Sequence, residues 1–243
     1  MREPLSPENP LVRELRDLHR PEGRRRAGAI LVEGRRAIDG FLAGGWHADL
    51  VLTPADSAAP DDWPESRPVS AKAADRLTQA TTASGWFARF RLPEPRPLDR
   101  AAGGLVLVEV ADPGNVGTLI RSAAAFGHRQ VCCIGGADVY GAKSIQASVG
   151  GLTQVDLTQL PQGTGPDALA GGAPLTSLVV AGGFSPEDLA PGPRWIVVGS
   201  EAHGLDPGWI ASCQDRLTLP MRPGLESLNA AVAGSIVCYL LRR

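Results

Sequence analysis

The chain has 243 residues, of which 43% are apolar, and its 24 basic and 26 acidic residues give a formal net charge of −2. This composition supplies core for one large domain or two smaller ones, and the near-neutral charge argues against a surface that binds polyanions throughout. The first 36 residues nevertheless contain nine Arg against six acidic residues. We therefore expect any attraction for nucleic acid to be concentrated in the N-terminal part.

The cysteines and apolar runs bear on the compartment. Cys132, Cys133, Cys213 and Cys238 form no Cys-x-x-Cys motif, so we interpret them as reduced core residues, with the adjacent pair on opposite faces of a strand. No apolar signal region begins the chain, and no apolar run approaches the roughly 18 residues of a membrane helix. We expect a cytoplasmic protein with no membrane partner, and the four scattered His residues predict no metal site.

The N-terminal part is predicted to be a small α/β domain. In chain order, its periodicity indicates a helix at residues 11–18, a basic loop from Arg20 to Arg26, a strand at 29–32, a helix at 35–43, a strand at 50–52, a helix at 71–77 and a strand at 86–91. The Pro-rich stretch "LPEPRPLDRAAGG" then reads as a linker. We place the boundary between Pro93 and Gly104, which gives domains of residues 1–98 and 104–243.

Short, almost unbroken apolar runs dominate the rest of the chain and predict buried parallel strands at residues 105–110, 130–134, 175–181, 195–198 and 216–219. Helices are predicted between them at residues 116–126, 206–213 and 227–241. This alternation indicates a doubly wound α/β sheet with parallel strands. In such sheets, ligands bind at the carboxyl ends of the strands, where loops meet helix N-termini.

Three loops at that position combine glycine with polar side chains: "EVADPGNVGTLIRSAAAFG", "VVGSEAHGLDP" and "LPMRPGLESLNAAVAG". Two better-known interpretations fail on spacing. In "GGADVYGAKS", Lys143 lies two residues after Gly141 instead of one, which is wrong for a phosphate-binding loop, and the chain has no Gly-x-Gly-x-x-Gly. The Gly-x-Ser-x-Gly motif of a serine hydrolase is also missing.

The three loops resemble the signature motifs of the SpoU/TrmH branch of the knotted SPOUT methyltransferases. The matching positions are Asn115, Gly117 and Arg121 in the first motif, Gly199, Glu201 and Gly204 in the second, and Glu226, Ser227 and Asn229 in the third. The segment "KSIQASVGG" is similar to the family's intervening segment, and the resemblance covers roughly residues 105–241. The N-terminal part resembles the ribosomal-protein-like substrate-binding domain of many members.

The resemblance implies a C-terminal parallel-sheet domain with a deep trefoil knot, preceded by an α/β RNA-binding domain. It also implies a homodimer that methylates a ribose 2′-hydroxyl of RNA with S-adenosylmethionine as cofactor. The appended N-terminal domain favours 23S rRNA as the substrate. A tRNA 2′-O-methyltransferase, an enzyme that modifies an antibiotic site, and a catalytically silent RNA-binding or ribosome-assembly factor remain alternatives.

The resemblance assigns catalytic roles to five residues: Arg121, Asn115, Glu201, Ser227 and Asn229. Since the pKa of an arginine exceeds about 12, Arg121 is a better phosphate ligand than a base, and its alternative is a surface salt bridge. Asn115 orients Arg121 or the ribose, or serves turn chemistry in "DPGN". Glu201 is expected to pair with a positive guanidinium or sulfonium, and its alternative is a charge at a helix terminus.

The remaining assignments concern the cofactor and RNA. Gly199, Gly204, Leu219 and Leu228 match positions that hold the cofactor through backbone groups, with core packing as the alternative. Ser227 is predicted to cap the last helix while Asn229 faces the site. The Arg20, Arg24, Arg25 and Arg26 cluster is predicted to contact RNA, with a solvated charge run as the alternative.

Overall fold

A computed structural model of the chain describes residues 3–242. Within these residues the N-terminal part forms the helices α1 (Pro10–Asp17), α2 (Pro21–Ala27), α3 (Arg35–Ala43) and α4 (Ala71–Leu77). Its strands are β1 (Ala29–Glu33), β2 (Ala48–Pro54), β3 (Ser66–Val69) and β4 (Phe87–Arg91). They form one sheet in the order β1-β4-β2-β3, in which β4 is antiparallel to both neighbours and β3 is parallel to β2.

The C-terminal part is a six-stranded sheet with helices between the strands. The strands are β5 (Gly104–Val108), β6 (Gln130–Ile134), β7 (Asp156–Leu160), β8 (Leu175–Leu178), β9 (Trp195–Val198) and β10 (Asp215–Leu217). The helices are α5 (Pro113–Ala125), α6 (Ala142–Ser148), α7 (Pro207–Ser212) and α8 (Ala230–Leu240), with 3₁₀ turns at Gly151–Gln154, Pro166–Leu169 and Pro186–Asp188. The strand order is β10-β8-β9-β5-β6-β7, and every pairing is parallel, as predicted.

Both faces of this sheet are covered, which explains the unbroken apolar runs. Alternate residues of β5, β6 and β9 enter two different hydrophobic clusters, one shared with α5 and α8 and the other with α7. Cys133 belongs to the first cluster and Cys132 to the second, so the prediction of opposite faces is confirmed. All four cysteines are free, and burial raises the pKa of Cys132 to about 11 and that of Cys238 to about 12.

Several predicted boundaries are wrong. The basic loop is the helix α2, because Pro21 begins it and Gly28, at φ 58°, ends it in the left-handed conformation. Helix α5 begins at Pro113, with Asp112 as its N-cap, and α8 begins at Ala230. The short elements β3, β7 and α6 were not predicted, since their four to seven residues show no clear apolar period.

The segment that was predicted to be a linker ends at Gly104, which is the first residue of β5, and residues 92–103 contain no helix or strand. The parts on either side of it pack against each other. One hydrophobic cluster contains Ile38 and Phe41 of α3 together with Ile120 of α5 and Leu152 of the 3₁₀ turn that follows α6. The N-terminal sheet is therefore held against the face of the C-terminal part that carries α5 and α6.

Candidate active site

The three glycine-containing loops meet at the carboxyl ends of the neighbouring strands β5 and β9. Glu201, after β9, accepts hydrogen bonds from the backbone amides of Ala111 and Asp112, after β5, at 3.0 and 3.2 Å. It also accepts a bond of 2.7 Å from the Nδ2 atom of Asn115. Asn229, at the start of α8, completes the cluster by donating from Nδ2 to Asn115 Oδ1 at 3.2 Å.

Asn229, rather than Ser227, caps the last helix. Its Oδ1 atom accepts from the amides of Ala231 and Val232 at 2.9 and 3.2 Å, so the prediction that Ser227 is the cap is wrong. A side-chain amide has an acceptor and two donors. One asparagine can therefore cap the helix with its oxygen and bind Asn115 with its nitrogen, which a serine at position 227, two residues before the cap, does not do.

Glu201 is set up to remain a carboxylate. Partial burial raises its pKa, but the hydrogen bonds from the Asn115 side chain and from the amides of Ala111 and Asp112 outweigh that effect and hold the pKa below its usual value. The carboxylate therefore fixes the β5 loop and presents a full negative charge at the meeting point of the loops.

Asp112 and Lys143 form an ion pair beside Asn115. Asp112 caps α5 by accepting from the Asn115 amide at 2.9 Å, and it pairs with Lys143 Nζ at 2.8 Å. The hydrogen bond from Lys143 and that from the Asn115 amide lower the pKa of Asp112. Sequence reasoning assigned a role to neither residue, although "KSIQASVGG" resembles a family segment and Lys143 lies near the start of α6.

A cavity of about 470 Å³ opens next to this cluster, at the carboxyl ends of the adjacent strands β8, β9 and β10. It is lined by the four predicted cofactor residues Gly199, Gly204, Leu219 and Leu228, and by Glu201, Ser227 and Asn229. A Cβ atom on Gly199 would lie 2.3 Å from the backbone of Gly204, whose φ is 67°. The shape of the cavity wall therefore depends on glycine at both positions.

The glycine of the first motif has a packing role. A Cβ atom on Gly117 would lie 2.4 Å from the carbonyl oxygen of Ser144 and 2.6 Å from the Ala147 Cβ atom. Gly117 therefore lets α6 approach α5 closely, which holds Lys143 over the first turn of α5. This residue does not need to touch a ligand for its identity to matter.

Arg121 lies apart from the cavity. It is exposed on α5, six residues after Asn115, and a Cβ atom on Gly151 would be 2.8 Å from its Cα atom. It is not among the residues that line the cavity, and within residues 3–242 it makes no side-chain hydrogen bond or ion pair. Its guanidinium is therefore available to a partner outside this chain's own site.

The predicted arginine cluster is divided by the structure. Arg24 is 4% exposed, pairs with Asp138 and donates to the carbonyl oxygens of Leu18 and His19, so it is a structural residue and the prediction that it contacts RNA is wrong. Arg25 is exposed on α2 and pairs with Glu22.

Arg20 and Arg26 instead line a groove of about 850 Å³ on the N-terminal part. The other residues that line it are Arg13, Arg16, Arg76, Glu14, Asp17, His19, Thr78 and Gln79. Arg13, Arg16 and Arg20 recur from α1 into the turn before α2, and this recurrence is the signal in the sequence that could have pointed to the groove. Because five arginines line it against two acidic residues, the groove has a net positive charge.

No group of three or more His, Cys, Asp or Glu within residues 3–242 is arranged to hold a metal ion. No helix in the same range is long and apolar enough to cross a membrane.

Comparison with known proteins identifies the family. The model of the SpoU rRNA Methylase family matches residues 104–239, which is more than half of the chain. The chain is 26% identical over 248 residues to the 23S rRNA (guanosine(2553)-2′-O)-methyltransferase RlmP of Bacillus subtilis, covering all of both chains. It is 32% identical over 145 residues to the 23S rRNA (uridine(2479)-2′-O)-methyltransferase of Streptomyces viridochromogenes, covering 56% of this chain and 50% of that one.

A solved structure supports the same fold over both parts of the chain. The SpoU methyltransferase AviRb of Streptomyces viridochromogenes, in complex with the cofactor AdoMet, matches with a TM-score of 0.83 at 24% identity and covers 96% of this chain and 97% of that one. The predicted α/β fold with a parallel-sheet domain is thereby confirmed. The match of the family model to the part that carries all three signature loops leads to one conclusion: this chain is a methyltransferase and belongs to the SpoU rRNA methylase family.

Proposed function

We propose that this protein transfers a methyl group from S-adenosylmethionine to a ribose 2′-hydroxyl of RNA, with 23S rRNA as the favoured substrate. The observation that carries the proposal is the convergence of the three motif loops, through Asn115, Glu201 and Asn229, beside a cavity lined by motif residues. Two relatives named as 23S rRNA 2′-O-methyltransferases support the substrate.

The cavity suits an adenosyl group. Its volume of about 470 Å³ lies within the usual range for small-molecule sites, and its wall combines apolar side chains such as Val198 and Leu219 with the backbone of the Gly199 to Gly204 turn. We propose that Gly199, Gly204, Leu219 and Leu228 hold the cofactor, mainly through backbone groups and shape. S-adenosylmethionine supplies, when bound, a methyl group on a positively charged sulfur.

The residues of the chain would position the ribose and stabilise charge. Asn229 lines the cavity and is hydrogen-bonded to Asn115 beside it, so the two amides would be placed to orient the sugar. Ser227 lines the cavity and offers a further hydroxyl. The Glu201 carboxylate anchors this arrangement, and it would balance the positive charge of a guanidinium or of the bound sulfonium. The 2′-oxygen would bond to the methyl carbon as the bond between that carbon and the sulfur breaks, which releases S-adenosylhomocysteine. The 2′-hydroxyl would lose its proton to solvent, and nearby cations would lower the pKa of that hydroxyl.

We propose that a homodimer completes the site. On α8, the apolar side chains of Val232, Ile236, Tyr239 and Leu240 are 37% to 50% exposed and lie on one face of the helix. The Ser122 hydroxyl of α5 lies 2.7 Å from that of Ser235 on α8, so α5 borders α8, and Arg121 is an exposed residue of α5. A second copy would cover the apolar face and bring Arg121 to its partner's site, where it would bind a phosphate of the RNA.

For the N-terminal part, we propose that the arginine-lined groove binds the RNA backbone, with Arg13, Arg16, Arg20, Arg26 and Arg76 as the contacts and the exposed Arg25 beside them. We propose that residues 1–98 and 104–243 are the two domains, and that the second contains the deep trefoil knot of the family. Free cysteines and relatives that act on ribosomal RNA support a cytoplasmic location.

The test is methyl transfer from labelled S-adenosylmethionine to purified 23S rRNA and, separately, to tRNA. We expect label in 23S rRNA, at a linkage that becomes resistant to alkaline cleavage. Label in tRNA would identify tRNA as the substrate instead of 23S rRNA. Label on a base would refute ribose methylation. Cofactor binding without transfer to either RNA would favour the silent assembly factor.

Arg121→Ala tests the catalytic assignment. It should retain cofactor affinity and lose most of the turnover. Equal turnover in the variant and the wild type would remove Arg121 from the mechanism.

A further inference from the structure

Lys143 stands out beside the active-site cluster, because it is one of only two lysines in a chain that contains 22 arginines. It lies in the first turn of α6, and its Nζ atom pairs with Asp112, the residue whose backbone amide binds Glu201. Asp112 thus connects the ammonium to the Glu201 carboxylate that anchors the three loops.

The position of the Lys143 side chain depends on two glycines of α5. A Cβ atom on Gly114 would lie 3.4 Å from Lys143 Cε and 2.8 Å from Asp112 Oδ1, so the missing side chain at position 114 leaves room for the lysine stem to cross the first turn of α5. Gly117 allows the close approach of α6 that brings the stem there. The side chain is still 64% exposed, which leaves the ammonium accessible from solution.

The hydrogen-bonding capacity of the ammonium is not exhausted. It has three N–H donors, and Asp112 takes one of them. The other groups nearby are poorly suited to a polyanion, since Asp112 and Glu201 are both carboxylates with lowered pKa values. An RNA strand that reaches Asn115 would meet repulsion from these two charges unless a cation offset them.

We propose that Lys143 is a further substrate-binding residue that takes the 3′-phosphate of the methylated nucleotide. This inference rests on the proposed ribose methylation. The 2′-hydroxyl and the 3′-phosphate are attached to neighbouring carbons of the sugar, so a ribose held at Asn115 and Asn229 places that phosphate beside the cluster. Lys143 offers a compact charge there, and it also stabilises negative charge that develops on the 2′-oxygen.

The first experiment compares Lys143→Met with Lys72→Met. Lys72 is the other lysine, is exposed on α4 and contacts no residue of the cluster, so it controls for the loss of one positive charge. The assay uses a synthetic RNA that spans the nucleotide mapped for the wild-type enzyme. We expect Lys143→Met to lower kcat/KM by about tenfold to a hundredfold and Lys72→Met to change it by less than about threefold. Lys143→Arg, which keeps the charge, should restore part of the loss.

The second experiment replaces the 3′-phosphate of that nucleotide with an uncharged methylphosphonate. Wild-type enzyme should lose about as much kcat/KM with this RNA as Lys143→Met loses with normal RNA, and Lys143→Met should lose little more. If Lys143→Met is as sensitive to the methylphosphonate as the wild type, the phosphate assignment is overturned and Lys143 only holds Asp112. Wild-type activity in Lys143→Met would also overturn it.

A failure of this inference can be separated from a failure of the proposed function. The wild-type enzyme, measured on normal RNA, tests ribose methylation independently of position 143. If it methylates the ribose while Lys143→Met and Lys72→Met have the same kcat/KM, ribose methylation stands and the role of Lys143 is wrong. Thermal unfolding of Lys143→Met, expected to match the wild type because the side chain is largely exposed, checks that the variant is folded.

Discussion

The ion pair between Arg24 and Asp138 should stabilise the contact between the two parts of the chain. The side chain of Arg24 is 5% exposed and that of Asp138 is 36% exposed. Asp138→Asn removes the charge but retains an oxygen to accept from the Tyr140 amide, as Oδ1 does now at 3.0 Å. The variant therefore leaves the Arg24 guanidinium buried without its counter-ion.

Removing one partner of a fully buried pair typically costs about 3–5 kcal/mol. Here the cost should be smaller, about 2–3 kcal/mol, because Asp138 is partly hydrated and two backbone carbonyls still accept from Arg24. For a chain of this size the corresponding loss in Tm is about 4–12 °C. Asp17→Asn is the matched control, since its partner Arg26 is 72% exposed, and it should cost less than about 1 kcal/mol.

Urea unfolding followed by tryptophan fluorescence measures both variants. We also expect Arg24→Met to recover part of the loss when it is added to Asp138→Asn, because no unpaired buried charge then remains. The reasoning would be refuted if Asp138→Asn were as stable as Asp17→Asn, or if the two substitutions were simply additive.

Substitutions at four further positions test the site and the helices around it. Asn229→Ala should cost about 1 kcal/mol through loss of the α8 cap, whereas Asn229→Asp keeps a capping oxygen and should lose methyl transfer with little change in urea stability. Glu201 has a lowered pKa in the folded state, so its hydrogen bonds stabilise the protein fully at pH values above 4.5, the ordinary pKa of the side chain. This stabilisation is lost as the pH falls below 4.5 and the carboxylate is protonated. Glu201→Gln should therefore flatten this part of a profile of stability against pH. Gly117→Ala should lower stability by about 1–3 kcal/mol in the same unfolding assay, because its Cβ atom meets the backbone of α6; an unchanged midpoint would contradict the packing role. Ile236→Glu should convert the proposed dimer to a monomer in light scattering without unfolding α8, and a persistent dimer would assign the interface elsewhere.

Much of the C-terminal fold was predictable because its signals are local. The strands at Gln130–Ile134 and Trp195–Val198 have the predicted bounds, since buried parallel strands are apolar on both faces and stand out from polar loops. Asp206 before Pro207 correctly predicted the start of α7. The edge strand β7, "DLTQL", has no such run, because one of its sides pairs with no other strand of the sheet.

The site was only partly predictable from the chain. Motif order correctly predicted that Asn115, Glu201 and Asn229 belong together, although up to 114 residues separate them. The pairing of Lys143 with Asp112 was missed, because it depends on how closely α6 packs against α5. The choice of Asn229 over Ser227 as the cap was also missed, since both are good capping residues and only the path of the preceding loop selects between them.

The sequence by itself determined the class of fold, the family and the three loops that carry the chemistry, because hydrophobic periodicity and motif spacing are properties of short segments. Tertiary structure decided which side chains are free to act. Arg24, Arg25 and Arg26 are equivalent in the sequence, yet one is buried against Asp138, one is exposed on the surface of α2 and one lines a charged groove. Successive residues on a helix point about 100° apart, so the neighbours that pack around α2 determine the environment of each arginine.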